Sequence, residues 1–287
     1  MAADILTTIH NQMNSFSKGQ KRIANYIEAS YDKAAFMTAS KLGKMVSVSE
    51  STVVRFAVDL GFDGYPSMQK ALQEMVRNKL TSVQRIEVAN DRFGNQDVVS
   101  MVLHSDLESI RMTNEAVNRT VLERAVDAIV QAKNIYIVGV RSSAAIALFM
   151  SFYFRNIFDN VKLINSSATS EMIEQMLHVT RGDVVIGISL PRYSSRTVKM
   201  MEFARNSGAK VIVITDSDDA PAAKSADHVL VAKSDMVSVV DSLVAPMSLS
   251  NALIVSICRR KEPEMSRIFE NLERIWEEYE VYERVES

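Results

Sequence analysis

Five short runs rich in β-branched and aliphatic residues follow one another after Lys133: IYIVGV (135–140), VKLIN (161–165), DVVIGIS (183–189), KVIVIT (210–215) and DHVLVA (227–232). No other feature of the chain narrows the fold as far. Near-continuous apolar strands belong to a parallel sheet covered on both faces. Their alternation with helical stretches predicts a doubly wound α/β domain of five strands. Such sheets bind ligands beyond the carboxyl ends of their strands, and two strand ends stand out. Gly139-Val140-Arg141-Ser142-Ser143 runs into the helical stretch AAIALFMSFYF. Ser189-Leu190-Pro191-Arg192-Tyr193-Ser194-Ser195-Arg196-Thr197 also enters a helix, and five of its nine residues carry hydroxyls. A glycine, hydroxyls and a helix N-terminus favour an anion, because unpaired N–H groups and the helix dipole both attract negative charge. The candidate ligand residues are therefore Gly139, Arg141, Ser142, Ser143, Ser189, Arg192, Ser194 and Ser195. Two ordinary capped βα turns are the alternative; two adjacent hydroxyl-rich turns on one sheet favour ligand binding.

Residues 38–62, TASKLGKMVSVSESTVVRFAVDLGF, read as two short helices joined by a tight turn. Thr38 and Ser49 are N-cap residues, since each side-chain oxygen can accept an orphan first-turn N–H. Leu42, Met45 and Val46 give the first helix an apolar face, and Val53, Phe56, Ala57 and Leu60 repeat at helical spacing in the second. Gly61 suits the left-handed stop, and Gly43 is the small residue needed where two helices cross steeply. This is a helix-turn-helix pattern, and the second helix is expected to enter a DNA major groove. Its outward residues are Ser49, Glu50, Ser51, Thr52 and Arg55; arginine can grip guanine bidentately, and serine and threonine can reach bases or phosphates. Upstream, Lys18, Lys21 and Arg22 form the outer face of a helix opened by Ser17, and Lys21 is a candidate phosphate contact. A helical hairpin in an ordinary bundle is the competing reading.

The charge distribution agrees with DNA binding by one end. Residues 1–80 hold ten Lys/Arg against seven Asp/Glu, and the remainder 23 against 28, although the whole chain is only −2. At 287 residues, 47% hydrophobic and 24% charged, two globular domains are expected. The single cysteine, Cys258, excludes an internal disulfide and lies in an apolar run where a buried thiol is expected. The four scattered histidines lack metal-ligand spacing, so no metal site and no cofactor are expected. Neither a signal peptide nor a run of 18 apolar residues is present, which leaves no membrane span and a cytoplasmic expectation.

The order along the chain predicts a helix-turn-helix domain over 1–79 and a linker over 80–97, where periodicity fades and Asn90-Asp91 and Gly94-Asn95 signal turns. The ligand-sensing domain follows over 98–261, opening with helices at 98–117 and 120–132. The tail, 262–287, holds nine glutamates and three arginines around Met265, Ile268, Leu272, Ile275, Tyr279 and Tyr282, spaced 3, 4, 3, 4, 3. That is the a/d seam of a coiled coil, widened by Phe269 and Trp276 to a helix that packs on a surface. The surface is either its own domain or a second subunit.

The stretch VSESTVVRFAVDLGFDGYP (48–66) resembles the DNA-binding signature of the RpiR/MurR family of bacterial transcriptional regulators. DVVIGIS (183–189) and GAKVIVITDSDDAPAAKSADHVLV (208–231) resemble the strands of its sugar-isomerase-like SIS domain. The resemblance covers essentially the whole chain. It implies an all-α helix-turn-helix domain plus a three-layer α/β SIS domain with a five-stranded parallel sheet. It also implies operator binding modulated by a phosphorylated sugar or sugar acid, in a homodimer or homotetramer. By position, Gly139 and Ser143 match the first glycine and the serine of the family motif G-x-G-x-S. Ser189 and Ser194 match the first serine and terminal threonine of S-x-S-G-E-T. Arg141 replaces the second glycine and Pro191-Arg192-Tyr193 replaces Ser-Gly-Glu, so arginine side chains take over part of a glycine cradle and Arg192 can pair with phosphate or carboxylate. The SIS fold also hosts phosphosugar isomerases and lyases. Such an enzyme needs a positioned base; Glu171, Glu174 and His178 are candidates, but nothing pairs them. A non-enzymatic regulator is the expectation.

Overall fold

A computed structural model of the chain describes residues 5–77, 80–93, 97–236 and 238–283. These divide into two compact units: a helical one built from the chain up to Val102 together with Met236–Asp241, and a sheet-containing one built from Leu103–Asp235 and the chain from Ser242 onward.

The helical unit holds α1 (Ile5–Gln12), α2 (Lys18–Ala29), α3 (Tyr31–Ala34), α4 (Ala39–Met45), α5 (Glu50–Asp59), α6 (Tyr65–Arg77) and α7 (Ser82–Phe93). The caps read from the sequence form: Ser17, Thr38 and Ser49 each accept a first-turn amide, and Ser17 completes a capping box with Gln20. Gly61 takes φ +91° after α5. Ile23, Ile27, Leu42, Val53, Phe56, Met68 and Leu72 form the core, with Phe16 and Phe56 stacked at a tilt, 5.1 Å between ring centroids. Met45 departs from the expected apolar face: it ends α4 and is 54% exposed. From α6, Tyr65 donates to the Met37 carbonyl at 2.6 Å, Gln69 donates to the same oxygen at 2.7 Å, and Gln73 donates to Ala35 at 3.0 Å. Those three bonds satisfy the irregular backbone between α3 and α4.

The segment expected to be a linker, 80–97, contains α7. Thr81 and Gln84 cap it reciprocally, N–H to side chain in both directions. Its helical pattern is masked because a charged residue, Arg85, shares its buried face with Val88 and Ala89 while two of its aliphatic residues face out. Val83 and Ile86 are exposed, while Arg85 is 1% exposed and donates to Asp241 at 3.0 Å. Residues 94–96 lie outside the described residues, as do 1–4, 78–79 and 284–287, the ends of the tail and of the expected first domain.

α8 (Val98–Ala116) crosses the division between the units. The sheet unit continues with α9 (Arg119–Val130), β1 (Ile135–Gly139), α10 (Ser143–Ile157), β2 (Val161–Ile164), α11 (Thr169–Gln175), β3 (Val184–Ile188), α12 (Ser195–Asn206), β4 (Lys210–Thr215), a 3-10 turn (Pro221–Ser225), β5 (His228–Val231), α13 (Val244–Arg260) and α14 (Glu262–Glu278). All five strands are parallel, in the order β2-β1-β3-β4-β5. Alternate side chains supply two cores. Ile135, Ile137, Ile186 and Ile212 pack with α9, α10 and α13; Tyr136, Val138, Val185 and Val211 pack with α11 and α12. This is the three-layer α/β arrangement. Met265 at the start of α14 is buried in the first core, with Ile268 and Phe269 packed against it, so the proximal half of the tail helix rests on its own unit.

Candidate effector site and nucleic-acid interface

The strand order makes the β1/β3 boundary the switch point. β1 pairs with β2 on one side and β3 on the other, and Gly139 is the register partner of Ile188. The helices that follow leave for opposite faces, α10 into one core and α12 into the other. Sheets of this kind hold ligands in the crevice beyond the carboxyl ends of the strands that flank such a point, and both hydroxyl-rich loops leave the sheet there, after β1 and β3.

Each loop has one arginine in the left-handed region, Arg141 at φ 57° and Arg192 at φ 60°. Non-glycine residues visit that region sparingly, and it recurs at ligand sites. Arg141 and Arg192 are both exposed. Ser142 and Ser194 occupy the N-cap positions of α10 and α12, yet neither makes a side-chain cap bond. Ser143 is buried in the first turn of α10, and Ser195 is exposed in that of α12. Gly139 has a packing role: a Cβ there would lie 2.6 Å from the Ser143 carbonyl oxygen and 2.8 Å from Ala147 Cβ. Only glycine lets α10 start this close to the strand.

Five residues outside the candidate set, Thr197, Tyr193, Asp216, Lys233 and Arg196, also take part in these loops. The hydroxyls of Ser189, 2% exposed, and Thr197, 1% exposed, have no hydrogen-bond partner among the described residues. Ser189 was named from the sequence, but Thr197 was visible only as one more hydroxyl in the loop. The Tyr193 hydroxyl donates to Asp216 Oδ1, just beyond β4, at 2.8 Å. Lys233 Nζ donates to the Asp216 carbonyl at 3.3 Å. Arg196 donates to the Ser167 carbonyl in the loop after β2. Glu171, Glu174 and His178 are all exposed; Glu171 accepts from Ser166, and no acid/base pair forms among the three. No group of three or more His, Cys, Asp or Glu suited to a metal occurs among the described residues. Cys258 is half-buried, and burial pushes its thiol pKa up, towards the unreactive protonated form.

In the helical unit, α4 and α5 meet at Gly43, where a Cβ would lie 2.9 Å from the Val48 carbonyl oxygen. Ser47 turns the chain between them at φ 55°. Glu50, Ser51 and Arg55 are exposed as expected. Ser49 is exposed but occupied: its Oγ accepts the Thr52 amide and bonds the Ser51 and Thr52 hydroxyls. Thr52 corrects the sequence reading, because it does not face outward with the others. It is half-buried against α2, with its methyl 3.5 Å from where a Cβ on Gly19 would stand. That packing brings the start of α2, with exposed Lys18, Lys21 and Arg22, beside the start of α5. Gln20 secures the pair by donating to the Asp59 carboxylate at the far end of α5.

Two family profiles match this chain: a helix-turn-helix domain of the rpiR family over residues 3–79, and a SIS domain over residues 128–256. Together they span well over half of the sequence. The chain belongs to the RpiR family of helix-turn-helix transcriptional regulators. HexR of Pseudomonas aeruginosa, an HTH-type transcriptional regulator, is 24% identical over 276 residues, 94% of this chain and 95% of that protein. The sugar isomerase domain of an RpiR transcription factor from Sphaerobacter thermophilus superposes with a TM-score of 0.59 at 27% identity. It covers 62% of this chain and 99% of that structure. The Vibrio vulnificus NanR protein, solved in complex with ManNAc-6P, has the same fold at a TM-score of 0.58 and 20% identity, over 95% of this chain and 97% of that one. No described helix of this RpiR-family chain is long and apolar enough to cross a membrane.

Proposed function

We propose that this RpiR-family regulator binds its operator through α5 and the start of α2, and that a phosphorylated sugar or sugar acid held at the β1/β3 crevice modulates that binding. The observation that carries the reading is the pairing, at one switch point, of two helix N-termini without side-chain caps, each preceded by a left-handed arginine. First-turn amides and two guanidinium groups suit an effector with a phosphate and a second anionic or polar end. The buried hydroxyls of Ser189 and Thr197 offer further partners, since an unsatisfied buried hydroxyl is costly. That the similarly folded NanR was solved with a sugar phosphate supports the same ligand class here.

The reading includes a cytoplasmic homodimer or homotetramer facing a palindromic operator, because paired recognition helices read half-sites about one DNA turn apart. A division of labour between a DNA-reading helical domain and an effector-binding sheet domain that ends near residue 261 belongs to the same proposal. An isomerase or lyase is the second reading, and the exposure of Glu171, Glu174 and His178 away from any paired base weighs against it.

Thermal-shift measurements against phosphorylated sugars and sugar acids test the proposal, since a ligand of the folded state raises apparent stability. The full chain should respond to one of them, and the same compound should change operator affinity. Ser143→Ala and Ser194→Ala should keep operator binding and lose the response. Two variants that still respond normally would sink the site.

A further inference from the structure

Ser51, Val54, Arg55 and Val58 share one face of α5, opposite the buried Val53, Phe56, Ala57 and Leu60. Two of these four are apolar: Val54 is 40% exposed and Val58 is 51% exposed. Neither valine has a structural reason to be there. A β-branched side chain loses rotamer freedom in a helix, so valine is a poor choice for a solvent-facing helical position. Neither contributes to the hydrophobic core of the unit. They flank Arg55; exposed cations stand at the start of α2 (Lys18, Lys21 and Arg22) and near the end of α4 (Lys44), while the exposed anions of α5 lie at its two ends, Glu50 and Asp59. A narrow apolar pair on either side of an exposed arginine, on a unit whose α2 adds three more exposed cations, fits the floor of a polyanion's groove better than a flat protein surface. The apolar group that a DNA major groove displays is the C5-methyl of thymine.

We infer that Val54 and Val58 read thymine methyl groups, so that each operator half-site carries thymines beside the base gripped by Arg55. The inference rests on the proposed docking of α5 in the major groove and adds the base identity that docking alone leaves open. Ser51 and Glu50 supply the polar part of the same surface, and Thr52, packed against Gly19, takes no part in it.

The test begins with operators selected by the full chain from random duplexes. Thymines in a half-site are then replaced one at a time by deoxyuridine, which keeps base pairing and removes only the methyl group. The wild-type chain should bind about fourfold more weakly at one or two of these positions, the worth of one buried methyl-sized group. Val54→Ala or Val58→Ala should abolish that penalty while leaving affinity for the uracil-containing duplex unchanged. Both substitutions lie on the exposed face and improve helix propensity, so the variants should fold; circular dichroism checks this. An operator insensitive to uracil everywhere, or valine variants that keep the full uracil penalty, overturns the inference alone. Failure to select any operator overturns the DNA-reading proposal and this inference together. A double alanine variant with wild-type uracil sensitivity but a smaller mass in solution would assign the valines to a protein contact and overturn the inference.

Discussion

The Tyr193 hydroxyl and the Asp216 carboxylate are joined by a 2.8 Å hydrogen bond, which ties the loop after β3 to the loop after β4. Arg192 and Ser194 flank Tyr193, so this bond helps set where a guanidinium and a helix N-cap stand at the crevice.

Tyr193→Phe removes that tie and nothing from the sheet core. A hydrogen bond to a charged group contributes about 1.5–3 kcal/mol, and part of that should appear as weaker effector binding, roughly tenfold by calorimetry. Operator affinity without effector should be unchanged. Wild-type effector affinity in the phenylalanine variant would place the phosphate away from this loop.

Two basic residues should behave differently on DNA. Arg55→Ala, on the outward face of α5, should cost roughly 1–3 kcal/mol on the selected operator and little on random duplexes. Lys21→Ala should weaken both alike and lower the salt dependence of binding. Equal losses on both duplexes for Arg55→Ala would show that it touches phosphate rather than a base.

Burial pushes the Tyr65 phenol up to about 12 from its ordinary value of 10.0. The folded state therefore holds the proton more tightly than the unfolded state. The contribution is complete below pH 10 and is lost as pH rises from 10 towards 12. Urea melts of the wild-type chain should show this alkaline loss of helical stability, and Tyr65→Phe should reduce it. At neutral pH the same substitution should cost about 1 kcal/mol for the lost bond to Met37. An equally steep alkaline loss in the phenylalanine variant would exclude Tyr65 as its source.

The tail separates into an anchored and an open half. Met265→Ala should cost about 2–5 kcal/mol, as large-to-small core changes do, because Met265 lies in the sheet core. Truncation after Asn271 spares that anchor and removes Leu272, Ile275, Trp276 and Tyr279. If the open half joins subunits, light scattering should record a smaller particle that remains folded. An unchanged mass would leave α14 with packing on its own unit alone.

Most of the sheet was legible because β-branched runs separated by helical stretches leave one economical arrangement, and the hydroxyl-rich loops fell at its switch point. The helix-turn-helix was legible through its caps and Gly43, whose neighbours are only a few residues away. What escaped notice depended on partners distant in sequence. α7 was unreadable as an amphipathic helix because its most buried side chain is Arg85, whose carboxylate partner Asp241 lies far along the chain. Thr52 has the spacing of an outward residue, and only the approach of Gly19 from α2 covers it. Met45 fitted an apolar repeat, but Leu42 and Val46, one turn apart, fill the covered face there and leave Met45 outside it. Asp216 carried no motif, and only the neighbouring positions of β3 and β4 bring it to Tyr193.

The Arg85–Asp241 pair also bears on how such regulators can be cut and recombined. The helical unit is not encoded by one continuous stretch: six residues, Met236–Asp241, reach it from beyond the fifth strand of the sheet, and Met236 joins its core. A fragment ending at Val102 would keep the buried Arg85 but lose the carboxylate facing it, and removing one partner of a buried pair costs about 3–5 kcal/mol. Chimeric sensors made by grafting this reading head onto another receiver would inherit that debt unless the six-residue insert travels with it. Recombination between relatives at the obvious junction should therefore be disfavoured, and the two halves should be inherited as a pair.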